Sequence, residues 1–142
     1  MDKAKKNNTF KYHDLSAFEI RGEEWIIGSE KQFIRAAGER IKEDLWCFQT
    51  CHICDFLAEK YPDKYKGQRF FNAVKKLQEE LCEDASPIIE AMIGNHMDEF
   101  ISDVIEDDGL GHVLASYDGT IHKTRDIPGL VSGHGPLCFR IN

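Results

Sequence analysis

The chain has 142 residues, 42% of them hydrophobic and 30% charged, with a formal net charge of −7. That length and balance fit one globular domain with an ordinary core, and hydropathy never runs unbroken for the roughly 18 residues of a membrane span. Five cysteines in a chain without an apolar leader argue for reduced thiols buried as small hydrophobes rather than a disulfide framework, so a soluble cytosolic protein is expected.

Met1 to Asn8 holds Lys3, Lys5 and Lys6 and no large apolar residue beyond the initiator, which predicts a fraying basic tail over 1–8 ahead of a single domain over 9–142. Ala17-Phe18-Glu19-Ile20 and Trp25-Ile26-Ile27 flank a Gly-containing turn and read as a hairpin. Ser29-Glu30-Lys31-Gln32 fits a capping box, so a first helix starts near residue 30. Ile34, Ala37, Ile41, Leu45 and Phe48 continue as one apolar stripe. The pattern persists to Tyr61, too far for one comfortable helix, and a break is expected between Trp46 and Thr50, with Pro62 ending the second piece.

Phe70, Phe71, Val74, Leu77 and Leu81 predict a third amphipathic helix, and Ser86-Pro87 an N-cap and first residue of a fourth that runs to about Ile93. Past Gly94-Asn95, the residues Met97, Phe100, Ile101, Val104 and Ile105 form a fifth stripe, backed by Asp98, Glu99, Asp103 and Glu106 on the opposite face. Beyond Gly109 glycines become frequent. Val113-Leu114-Ala115 and Leu137-Cys138-Phe139-Arg140-Ile141 read as strands around a Gly/Pro loop at 126–136. The fold class is thus α+β, mostly helical with four to five helices, and a small antiparallel sheet from the N-terminal hairpin and C-terminal strands.

Three constellations bear on chemistry. Cys47, Cys51 and Cys54 have C-x3-C-x2-C spacing, which is also one face of a helix; structural thiols are the expectation. The metal-binding alternative would take Cys82, Cys138 or His52 as a further ligand. Asp107-Asp108-Gly109-Leu110-Gly111-His112, followed by Tyr117-Asp118-Gly119, is dense in reactive groups. Asp108, His112, Tyr117 and Asp118 form an alternative acid/base pocket, against a reading in which Gly109 ends a helix and Asp118-Gly119 makes a turn. Finally, twelve carboxylates stand between Glu79 and Asp118 without one Lys or Arg, so this segment carries −12 and the remainder a net +5. Solvated helix faces usually interleave Lys at i+4; none occurs between Leu77 and His122.

Glu24-Trp25-Ile26-Ile27-Gly28, Lys42-Glu43-Asp44-Leu45-Trp46-Cys47-Phe48, Asp108 through Gly119, and Phe139-Arg140-Ile141-Asn142 together resemble a family of small phage and prophage proteins. The resemblance runs in order from about residue 22. Thr120-Ile121 stands where relatives are acidic, and the Gly/Pro segment before the last strand is longer. The family carries no assigned activity, so the resemblance implies a phage context in the host cytosol rather than a chemistry.

Within that context the segregated charge implies a non-enzymatic protein that binds a basic, nucleic-acid-binding surface of a host factor, in its sharpest form an anti-CRISPR protein. The expected contact residues are Glu79, Glu80, Glu83, Asp98, Glu99, Asp103, Glu106, Asp107 and Asp108. No cofactor and no metal are expected, and the dispersed basic residues argue against direct nucleic-acid binding. A small enzyme using the alternative pocket and an oligomeric structural phage protein are the competing classes.

Overall fold

A computed structural model describes residues 4–7 and 15–142. The chain divides into two compact units: the residues up to Glu39 together with Val104–Asn142, and Arg40–Asp103 between them. The dividing points fall inside helices, so no linker composition announces them.

The first unit is built on a five-stranded antiparallel sheet of order β1-β2-β3-β5-β4, with β1 Lys5–Asn7, β2 Ser16–Ile20, β3 Glu23–Gly28, β4 His122–Lys123 and β5 Leu137–Arg140. The segment expected to be a tail therefore contributes an edge strand, Lys5 opposite Glu19 and Asn7 opposite Ala17. Arg21 and Gly22 both take positive φ, 51° and 77°, between Ile20 and its partner Glu23. Two such residues give the twist that a two-residue hairpin requires.

Alternation along the strands divides the apolar residues between two faces. Ala17, Ile26 and Phe139 pack with Phe33, Ala36 and Ala37 of helix α1 (Glu30–Glu43) and with Leu114. Phe18, Ile20, Trp25, Ile27 and Cys138 form the other cluster, joined by Ile127 and Leu130. Phe33 and Phe139 meet edge to face at 4.9 Å. Full burial of each is worth about 1.5–3 kcal/mol, and the ring geometry adds about 0.5–1.5 kcal/mol. The capping box at the start of α1 is formed: the Ser29 amide donates to Gln32 Oε1 at 2.8 Å and the Gln32 amide to Ser29 Oγ at 3.2 Å. Ile34, however, is 41% exposed. Ala37, Ile41 and Leu45 of the expected stripe are buried, and in the first turn Phe33 takes the core position in place of Ile34.

The second unit is helical. α1 gives way to a 3₁₀ turn at Leu45–Cys47, Phe48 adopts an extended conformation, and α2 runs Thr50–Lys60, so the expected break is present. α3 (Gln68–Leu81) packs on α2, and α4 (Ala85–Ile93) packs on α3 and on the 3₁₀ turn. The break frees backbone groups that buried side chains then satisfy. Gln78 Nε2 donates to the carbonyls of Leu45 and Phe48 at 3.0 and 2.9 Å, and Thr50 Oγ1 donates to Gln78 Oε1 at 2.7 Å. Ser86 is not the N-cap of α4. It lies within that helix, its Oγ accepting from the Trp46 amide and donating to the Glu43 carbonyl. On α3 the buried residues are Val74 and Gln78, whereas Leu81 is 41% exposed.

α5 (Met97–Asp108) buries Met97, Phe100, Ile101 and Val104 as its periodicity requires. The expected strand at Val113–Ala115 is absent. α6 (Leu110–Val113) occupies its start, and Ala115 turns the chain with φ 54°. Among the described residues no helix is long and apolar enough to cross a membrane.

Candidate functional site

The carboxylates of α5 follow directly from its amphipathic pattern. With the apolar residues turned inward, Asp98, Glu99, Asp103, Glu106, Asp107 and Asp108 are all exposed. Glu99 is paired: it contacts Lys60 Nζ, and His96 Nδ1 lies 2.9 Å from its other oxygen. The hydrogen bond from Lys60, aided by His96, holds the Glu99 carboxyl below its ordinary range, while Glu99 raises the Lys60 ammonium. Asp98, Asp103, Glu106, Asp107 and Asp108 make no ion pair with any described residue.

The last turn of α5 is the unusual part. Glu106, Asp107 and Asp108 follow one another there with no basic residue in that turn. Helix carbonyls leave partial negative charge at a C-terminus, so each carboxylate there is disfavoured by about 0.3–1 kcal/mol. Asp103 and Asp107 add a like-charge i,i+4 pair worth about 0.2–0.5 kcal/mol of repulsion. The burial of Met97, Phe100, Ile101 and Val104 holds α5 in place despite these terms.

Glu79 and Glu80 lie at the exposed C-terminal end of α3, and Glu83 in the 3₁₀ turn Cys82–Asp84. Lys76 pairs with Glu80 one helical turn away at 3.8 Å. Glu79 and Glu83 have no ion pair among the described residues.

The alternative pocket is assembled differently from the sequence expectation. The His112 residue is exposed and its side chain makes no hydrogen bond or ion pair among the described residues. Asp118 instead pairs with His122, Nε2 to Oδ2 at 3.2 Å, and its other oxygen accepts the Thr120 amide at 3.0 Å. The Thr120 amide is the main cause of a lowered Asp118 carboxyl, with His122 contributing. The His122 ring stands edge-on to Trp25 at 5.4 Å, and Trp25 Nε1 donates to Glu23. Glu23 in turn meets Arg140, whose guanidinium lies 4.1 Å from the centre of the Tyr117 ring.

This chain of contacts depends on Gly111. A Cβ there would stand 2.4 Å from the Gly119 carbonyl oxygen, so only glycine lets the 116–119 turn close on α6. Ser116 Oγ accepts the Gly119 amide within that turn. The carboxylate fixes the orientation of the His122 imidazole. Cys138 is its cross-strand partner, but that thiol is fully buried and pushed up to about 11 by desolvation, so it is not an activated nucleophile. Sequence reading missed His122 because it sought histidine pairs; the available signal was its i+4 spacing from Asp118.

The cysteine expectation also needs correction. Cys54 and Cys138 are buried, but Cys47, Cys51 and Cys82 are exposed. The break at Trp46–Gln49 takes Cys47 off the face that Cys51 and Cys54 share on α2. Among the described residues no group of three His, Cys, Asp or Glu side chains gathers as metal ligands.

No protein-family model, no curated protein and no solved structure matches this chain.

Proposed function

We propose that this chain is a non-enzymatic phage accessory protein that binds a basic, nucleic-acid-binding surface of a host factor and blocks it, anti-CRISPR activity being the sharpest form. The observation that carries the reading is the last turn of α5: Glu106, Asp107 and Asp108, exposed, unpaired among the described residues, and set against the helix dipole. Charges that cost stability where they stand are explained by a partner that neutralises them. Asp98 and Asp103 of the same helix are likewise exposed and unpaired among the described residues, and the acids of α3 supply a second acidic segment. A Lys/Arg channel evolved for phosphates would accept such a row of carboxylates.

The test exploits the conflict between fold and function. Replacing Glu106, Asp107 and Asp108 with Lys relieves the dipole, so the triple variant keeps its fold with a midpoint equal to or above that of the parent. It should lose capture of a basic nucleic-acid-binding host protein, and should no longer inhibit DNA or RNA binding by that protein. Undiminished capture and inhibition by the triple variant would remove the proposal.

A second reading rests on the Asp118–His122 contact, an imidazole paired with a carboxylate and standing edge-on to Trp25. It assigns acid/base chemistry to His122 rather than His112. Turnover of a substrate that stops on His122→Ala but not on His112→Ala would favour it.

A further inference from the structure

At the β4 edge of the sheet the first unit holds a cavity of about 430 Å³ lined by Lys123, Arg125, Pro136 and Leu137. Its volume lies in the range of small-molecule sites, roughly 300–1,000 Å³. The cavity is unrelated to the acidic helix face and to the Asp118–His122 cluster.

Its walls are fixed by the strand between them. Lys123 stands opposite Leu137 in the ladder, while its neighbour His122, opposite Cys138, belongs to the other face. Thr124, between the two cationic residues, is completely buried; its Oγ1 donates to the Gly135 carbonyl at 2.8 Å, and its amide donates to the Pro136 carbonyl at 3.0 Å. These two bonds tie the Lys123–Arg125 wall to the Gly135–Leu137 wall. Gly135 in turn lies directly on the backbone of Gly28. The backbone on both sides of the cavity is therefore held in place, and the exposed Lys123 and Arg125 side chains are the parts a ligand would order.

The charge is also unusual for this chain. In a molecule of net charge −7, Lys123 has no carboxylate partner among the described residues. Arg125 reaches only its neighbour Asp126, at 4.0 Å with both side chains well exposed, a contact that neutralises little. Two under-compensated cations whose aliphatic stems join Pro136 and Leu137 offer an apolar floor with a positive rim.

We propose that this cavity binds a small organic anion with a flat apolar body, its acidic group held between Lys123 and Arg125 and its body against Pro136 and Leu137. A guanidinium and an ammonium meeting one sulfonate, phosphate or carboxylate would each give it charge-assisted hydrogen bonds.

The probe is 8-anilinonaphthalene-1-sulfonate, with uncharged N-phenyl-1-naphthylamine as its neutral counterpart, each titrated into the full-length protein and followed by fluorescence and by amide shifts. The sulfonate should bind saturably at one site, with shifts centred on residues 122–126 and 135–138. The Lys123→Met/Arg125→Met variant keeps the apolar stems and should weaken sulfonate binding by about tenfold or more while leaving the neutral dye unchanged. Lys123→Gln/Arg125→Gln guards against a misleading gain in apolar surface and should weaken the sulfonate equally. Absence of saturable binding, shifts centred elsewhere, or sulfonate affinity undiminished from the parent in either double variant would overturn the proposal.

Discussion

The Cα of Gly28 lies 2.5 Å from the point where a Cβ on Gly135 would stand, with the Gly28 carbonyl carbon and amide nitrogen at 2.6 and 2.7 Å. Two backbones touch here without side chains between them, and Gly135 also has φ 151°. Gly135→Ala is therefore expected to lose about 2–4 kcal/mol, combining backbone strain with overpacking against immovable main chain. Gly22→Ala meets no atom within 4 Å and should lose only about 1–2 kcal/mol from its positive φ. Urea midpoints at unchanged slope measure both, and equal losses would show that the Gly28 approach does not matter.

Gln78 holds the break between α1 and α2 together. Gln78→Met keeps the volume but leaves the Leu45 and Phe48 carbonyls without their donor, and about 2–4 kcal/mol should be lost. Thr50→Val removes a single bond to the Gln78 oxygen and should cost about 1 kcal/mol. Thermal unfolding of the two variants gives the comparison.

Stability should fall at both ends of the pH scale for identifiable reasons. Glu99 and Asp118 are lowered from ordinary values of 4.5 and 3.8, so the unfolded chain binds protons first as pH drops. Their contribution is present above those values and is lost as pH falls through the lower folded ones. Glu99→Gln should flatten that acid limb. Cys138 has the opposite sense: the unfolded thiol ionises near 9.0 and the folded one near about 11, so stability declines with rising pH across that window. Lys60, raised chiefly by its hydrogen bond to Glu99, loses its contribution as pH rises through its folded value. Cys138→Ala should flatten the thiol part of the alkaline limb, as read from unfolding midpoints against pH.

Thiol chemistry should separate the five cysteines. In the native protein Cys47, Cys51 and Cys82 should react with a small disulfide reagent, while Cys54 and Cys138 wait for unfolding. Cys47 should be slower than its exposure suggests, because partial desolvation and the nearby Asp44 raise its thiol. Mass mapping of labelled peptides over time checks the order.

Local rules made much of this fold legible. Ser29 and Gln32 announced α1, Gly22 the hairpin, and the stripe through Met97, Phe100, Ile101 and Val104 both α5 and the exposure of its acids. What could not be read were positions decided by distant partners. Gln78 is a polar residue outside the stripe of Val74, Leu77 and Leu81, yet it is buried and donates to the carbonyls of Leu45 and Phe48, far off in sequence. Ser86 looked like a cap and serves residues 43 and 46 instead. The Asp118 partner could have been His112 or His122 until strand pairing set His122 beside Trp25. The boundary between the two units was invisible because α1 and α5 carry their periodicity straight through it.

The division of the chain also distributes its two indoles, one to each unit: Trp25 sits in the sheet core and Trp46 on the turn between α1 and α2. With Trp46→Phe the remaining emission reports the sheet alone, and with Trp25→Phe it reports the helices alone. The molecule thus comes with its own pair of lamps, and whether they dim together or one after the other tells directly if the halves melt as one body.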